Sequence, residues 1–381
     1  MRVVVAPDSF TGTLSAVEAA DAIARGWHRT APDDELVLVP LSDGGPGFVD
    51  VVHASLGGEL HALTVHGPVG ARVEAAVLVV GTTAYVEVAQ ACGLHLVPAD
   101  MRDPRRTTTA GVGDLIDAAL DSDATRIVVG LGGTGTTDAG AGMLAALGAR
   151  AYDADGLDVT DRLRHGGGAL RGIARVDLDP VRERLRGVRL VVASDVDVPL
   201  LGLRGAANGF ARQKGADDAA VMELEGSLES FVAAVGRTAD GKDPAVALGA
   251  GAAGGLGYAL LALGASRVPG ISTVLETVGL ADRVAAAGLV LTGEGGFDWQ
   301  SLRGKVVSGV AETALAQGRA CVVLAGRVEV GKREYAATGV SGAYAVVDHL
   351  RDQGLDPALA LADPAEQLAA LAARAARTWS R

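Results

Sequence analysis

The chain predicts a two-domain α/β protein: a flavodoxin-like, doubly wound parallel sheet with a second α/β domain inserted. Three observations predict it. The 381 residues exceed one ordinary domain. Continuous Val/Leu/Ala runs recur at both ends of the chain, the pattern of strands buried on both faces. Glycine counts 53 residues while aromatics make up only 3%, a balance that suits parallel strands joined by glycine turns.

The elements follow in order. VVVA (3–6) reads as a buried strand, followed by a capping-box pair, Ser15 and Glu18, ahead of the helical stripe Ala19, Ala20, Ile23 and Trp27. LVLVPL (36–41) is the next strand, and Pro46 stands at a first-turn helix position. The far end repeats the rhythm with GLVLTGE (288–294), ACVVLAG (320–326) and GAYAVVD (342–348), then an Ala/Leu/Arg helix from Asp363. Two strands at one end and three at the other make one five-stranded sheet from residues 1–60 and 288–381, with a flavodoxin-like order open to it. Residues 61–287 then form the insert, carrying a β-pair (75–80 with 84–88) and the strands RIVVGL (126–131) and VRLVVAS (188–194). A tandem pair of domains is the competing layout.

Bulk properties exclude several functions. A net charge of −12 is wrong for nucleic acid, whose phosphodiester backbone asks for basic clusters. No apolar run reaches the roughly 18 residues of a membrane helix, and MRVVVAPD enters a strand without a basic leader. A cytoplasmic protein is expected, with no membrane partner and a homo-oligomer left open. Cys92 and Cys321 have no metal spacing and read as reduced, buried thiols.

Five glycine- or acid-rich segments end apparent strands, where open α/β sheets place ligands. Asp8 and Ser9 follow the first strand; Asp43, Gly44 and Gly45 follow the second. Gly132, Gly133, Thr134, Gly135, Thr136 and Asp138 follow RIVVGL, Asp195 and Asp197 follow VRLVVAS, and Glu294 and Asp298 lead to Lys305 at a helix start. One such turn is ordinarily a tight connection or a cap. Five together supply what phosphoryl transfer needs: amide donors for phosphate, metal-binding carboxylates, a cation and a base. No segment has the P-loop spacing GxxxxGK[ST]. Lysine occurs four times, at Lys214, Lys242, Lys305 and Lys332, so each has more weight. Lys305 sits where the helix dipole disfavours a cation, a conflict that an anionic ligand would resolve. Arg105, in the run MRDPRRTTT, is a candidate fork for a substrate carboxylate.

The segments APDSF, GTLSA, LSDGGPGF, VGLGGTGTTDAGAGMLAALG, ASDVDVPLLG, ARQKGA, GAAGGLGYAL and LTGEGGFDWQSLRGK follow one another over residues 3 to about 310. In that order they resemble the bacterial glycerate kinases, of the glycerate 2-kinase type. The resemblance implies phosphorylation of D-glycerate by ATP and Mg²⁺ in an interdomain cleft, giving 2-phosphoglycerate or, less often, 3-phosphoglycerate. It implies catalytic roles for Asp195 and Lys214. Asp8, Ser9, Asp43, Gly44, Gly45, the 132–136 loop, Asp138, Arg105, Glu294, Asp298 and Lys305 would bind substrate or nucleotide. Asp43, Asp197 and Glu294 would hold the metal. The family usually has a lysine in its first loop, where this chain has Ser9 and Thr11. A lost ammonium removes a charge-assisted contact of about 1.5–3 kcal/mol. A divergent relative acting on another small hydroxy acid, or a non-catalytic binding protein of the same fold, is the alternative.

Overall fold

A computed structural model describes residues 1–10, 12–238 and 240–380; Thr11, one of the two first-loop positions, lies outside them. The chain forms two compact units, one of 1–43, 50–57 and 271–381, the other of 44–49 and 58–270. Strands β1 (Arg2–Val5) and β2 (Glu35–Leu38) open it. Next come β3 (Glu59–His66), β4 (Arg72–Val80), β5 (Thr83–Glu87), β6 (Arg126–Gly130), β7 (Arg189–Ala193) and β8 (Ser266–Val268). β9 (Leu289–Thr292), β10 (Ala320–Ala325) and β11 (Val340–Ala345) return to the first unit.

The first sheet runs β11-β10-β9-β1-β2, parallel throughout. Both faces of its centre are buried. Val3 and Val5 pack with the helices Ala16–His28 and Pro364–Trp379, while Val4, pointing the other way, is equally enclosed. The Ser15/Glu18 box caps the first of these helices, with Ser15 N–H donating to the Glu18 carboxylate at 2.9 Å. The two helices touch so closely that a Cβ on Gly26 would stand 1.9 Å from Ala369 O.

The second sheet runs β8-β7-β6-β5-β4-β3. β5 to β8 are parallel, and β3, β4 and β5 are joined antiparallel. Two expectations need correction. β3 has no counterpart in the sequence reading, because this edge strand is exposed along most of its length and has no apolar signature. The units also divide at 270/271, not at 287/288. The helix Gly270–Thr277 leans on Val306–Ala316 of the first unit, with Ile271 against Gly309. An amphipathic stripe does not say which sheet it will cover.

Candidate active site

In the first sheet β1 lies between β2 and β9, and the loops after these three strands bear Asp8, Asp43 and Glu294. The chain passes to opposite sides of β1, so β1 and β9 flank the topological switch point, the usual ligand position of such sheets. Backbone bonds stitch the loops together: Asp8 N–H donates to Gly293 O at 2.8 Å and Leu41 N–H to Pro7 O at 2.9 Å. Gly293 is required here, since a Cβ would stand 2.0 Å from Leu324 O.

Burial under these loops changes the acids. The Asp8 carboxyl is pushed up to about 7, first by burial and then by the charges of Asp43 and Glu294; the Ser9 N–H, 2.7 Å away, and Lys305 oppose the shift. Glu294 is also pushed up to about 7, chiefly by burial, with Asp298 and Asp43 adding to it and the Ser301 hydroxyl and Lys305 pulling back. Its side chain is 9% exposed, and Oε1 finds no hydrogen-bond partner among the described residues. Lys305 stands at the N-cap of Val306–Ala316, where its N–H donates to Ser308 Oγ at 3.0 Å. The unfavourable helix dipole is offset by the carboxylates whose shifts it restrains. Asp298 holds its own turn, accepting from Gln300 N–H at 2.7 Å and Ser301 N–H at 3.2 Å.

Among the described residues no three His, Cys, Asp or Glu side chains are grouped to hold a metal by themselves. Magnesium needs less, since one or two carboxylates suffice when phosphate and water complete the shell. An orphaned carboxylate oxygen whose charge is felt by Asp8, Asp43 and Asp298 fits such a cation.

The second unit contains the other sequence-predicted residues. After β6, Gly132 is half-buried and Gly133 exposed, while Thr134, Gly135, Thr136 and Asp138 are buried. Gly132 and Gly133 press on the Gly44–Gly45–Pro46 turn, a Cβ on Gly132 standing 2.5 Å from Gly45 Cα. Gly135 N–H is already committed to Cys92 O at 2.8 Å, so it is no free phosphate donor as the sequence reading expected. Asp138 is enclosed and accepts four bonds, from Thr109 N–H and hydroxyl and from Gly140 and Gly142 N–H, at 2.8–3.3 Å. Lys214 is 3% exposed, and its Nζ donates to Thr136 O at 2.6 Å.

Asp195 is exposed at the end of β7, its Oδ1 accepting from Gly270 N–H at 2.9 Å. Asp197 pairs with Arg267, so the metal role expected for it competes with that cation. The Arg105 fork is occupied by both oxygens of Asp103, each at 2.9 Å, and by Glu223 at 3.1 Å. These two acids answer the guanidinium that the sequence reading had offered to a substrate carboxylate. Sequence reasoning missed Glu87, a buried acid ending β5 that accepts from Gly47 N–H at 3.0 Å and Val49 N–H at 3.2 Å and so shapes the DGGPGF turn. A lone acid closing the strand TAYVE was its signal.

Strand-end acids at the switch point of one α/β unit, and glycine turns at strand ends of another, define the class: an enzyme of small molecules. Residues 3–380 match the model of the glycerate kinase family, and the chain belongs to that family. It is 43% identical over 332 residues to the glycerate 2-kinase of Escherichia coli, covering 86% of this chain and 85% of that one. It is 41% identical over 350 residues to the glycerate kinase of Bacillus subtilis, covering 91% and 90%. A crystal structure described as a putative glycerate kinase 2 from Salmonella typhimurium superposes with a TM-score of 0.82 at 36% identity, covering 99% of this chain and 98% of that one. The protein is accordingly a kinase, a phosphotransferase acting on an alcohol hydroxyl.

Proposed function

We propose that the protein transfers the γ-phosphoryl group of ATP to D-glycerate, forming 2-phosphoglycerate, with Mg²⁺ as its metal. The observation that carries this reading is the cluster of Asp8, Asp43 and Glu294 at adjacent strand ends, restrained by Lys305. A carboxyl titrating near neutral pH is matched to accept a hydroxyl proton. Asp8, held at about 7, is the residue we assign to take it from glycerate. Asp43 and Glu294 would hold the magnesium, which when bound neutralises charge on the transferring phosphoryl oxygens. Lys305 supplies a fixed cation for phosphate.

On the second unit, Gly132, Gly133, Gly44 and Gly45 offer backbone for close approach of an anionic group, and Asp195 offers a solvent-facing carboxylate for a hydroxyl. Arg105 and Asp197 keep their protein partners in this reading. ATP as donor suits a cytoplasmic enzyme; among the described residues no helix is long and apolar enough to cross a membrane.

The test is ADP release by purified protein with ATP and Mg²⁺ over a panel of small hydroxy acids, with the product of D-glycerate passed to enolase. ADP formation with D-glycerate and direct conversion of the product by enolase are expected. A product that enolase accepts only after a mutase step would move the transfer to the 3-hydroxyl. ADP release no higher than the blank with D-glycerate would sink the assignment.

A further inference from the structure

Lys214 ends the short turn Arg212–Lys214 and is enclosed by protein. An ammonium in such a place is costly unless it is paired and hydrogen-bonded. Its partner is a backbone carbonyl, Thr136 O at 2.6 Å, which belongs to the glycine-rich loop. Burial draws its pKa down to about 8; of the titratable groups that face it, Asp138 favours the ammonium, and Cys92 would do so only as a thiolate. Cys92 is itself pushed up to about 12, and Asp138 already serves four donors.

The same carbonyl is approached from another side. Residues 253–255 take left-handed backbone at φ 52°, 68° and 93°, and a Cβ on Gly254 would lie 1.9 Å from Thr136 O. Gly254 O in turn accepts from Ala139 N–H at 3.1 Å. The loop is gripped at Thr136, yet the Thr137 hydroxyl is buried with no hydrogen-bond partner among the described residues, and the Thr136 hydroxyl faces the weakly bonding Cys92 thiol. A segment selected for stability alone would not combine an enclosed ammonium, an orphaned hydroxyl and a left-handed alanine. The part of the loop left open is Gly132 and Gly133.

We propose that Lys214 is a positioning residue: it touches neither substrate nor nucleotide, and it fixes the 132–137 loop in the shape that receives an anionic oxygen group at Gly132 and Gly133. The inference rests on reading this loop as a ligand loop under Proposed function. Phosphate of the nucleotide and carboxylate of glycerate share the required chemistry, and the kinetic arm of the test separates them. The catalytic role expected of Lys214 from the family resemblance becomes an indirect one.

The test compares the full-length parent with Lys214→Met. In ligand-free protein, amide hydrogen exchange across 132–137 should quicken by about tenfold or more in the variant, with β1 and β9 unchanged. In turnover, the KM for either ATP or D-glycerate should rise by about tenfold while kcat stays within about twofold. The parent's KM for that ligand should climb as pH passes about 8, and the variant's should not. If Lys214→Met does not fold, the parent alone decides: its 132–137 amides should lose protection between pH 7 and 9 relative to β6. Unchanged exchange, or a kcat lowered a hundredfold at constant KM, overturns the proposal. Because exchange is read without substrate, a parent inactive on glycerate would refute the functional reading and leave this test intact.

Discussion

Glu294→Gln should stabilise the ligand-free protein, increasingly as pH rises from about 4.5 to about 7 and fully above that. Burial and neighbouring acids raise this carboxyl from 4.5 to about 7. The folded state therefore binds the proton more tightly than the unfolded state. Its contribution to stability falls as pH rises from about 4.5 to about 7, and above that window the full penalty stands. At about 1.4 kcal/mol per pH unit the penalty is about 3 kcal/mol, and a side chain 9% exposed has little solvent screening to reduce it. A glutamine amide orphans a polar group of its own, so a gain of about 1–3 kcal/mol is expected, or several degrees in Tm. Thermal unfolding of parent and variant at pH 5 and pH 8, in chelator, measures it. Magnesium and ATP should raise the parent's Tm more than the variant's, and turnover should drop by about 10²–10⁴. Equal shifts at both pH values, or a variant less stable at pH 8, would refute the account of Glu294 as an uncompensated buried acid.

Asp138→Asn should cost about 2–4 kcal/mol in urea unfolding, because one amide oxygen cannot serve the four donors now shared by two carboxylate oxygens; an unchanged midpoint would remove Asp138 as the post of its loop. Asp197→Asn loses the exposed partner of the largely buried Arg267, whose guanidinium keeps its bond to Ser194 O, and should change stability by about 1 kcal/mol and turnover by less than about twofold. Asp195→Asn keeps an acceptor for Gly270 N–H and should cost about a hundredfold in turnover with little change in Tm. Turnover equal to the parent's would strike Asp195 from the mechanism.

The strands legible in the sequence are those buried on both faces. β1, β9 and β10 are near-continuous apolar runs because neighbouring strands and packed helices leave them no solvent side. β3 went unread for the opposite reason, its side chains being largely solvent-facing. Site chemistry divides along a different line. Residue types at strand ends can be read locally, but the partners of Asp138 and Arg105 cannot. Thr109 is 29 positions from Asp138, and Glu223 is 118 positions from Arg105. Lys305 had a local contradiction, a cation at a helix start, and its neighbours prove to be acids of the first sheet. A misfit between residue and position is legible where a distant partner is not.

Satisfaction separates the two kinds of buried acid more sharply than burial does. Asp138 and Glu294 both lie inside protein, and both carboxyls are raised by desolvation. Asp138 spends its oxygens on two stretches of backbone and a hydroxyl, so its charge fixes a loop whatever ligand is present. Glu294 leaves an oxygen unmatched among the described residues; the Ser301 hydroxyl and Lys305 favour its charge, but burial and the repulsion of Asp298 and Asp43 outweigh them. Low local dielectric amplifies both situations, making the completed network rigid and the incomplete one expensive. The incomplete one lowers its free energy further by taking up a proton or a cation. Removing the first acid should therefore destabilise the fold, and removing the second should stabilise the fold while abolishing most turnover. The opposite signs make the pair of substitutions a test of which acid belongs to the scaffold and which to the chemistry.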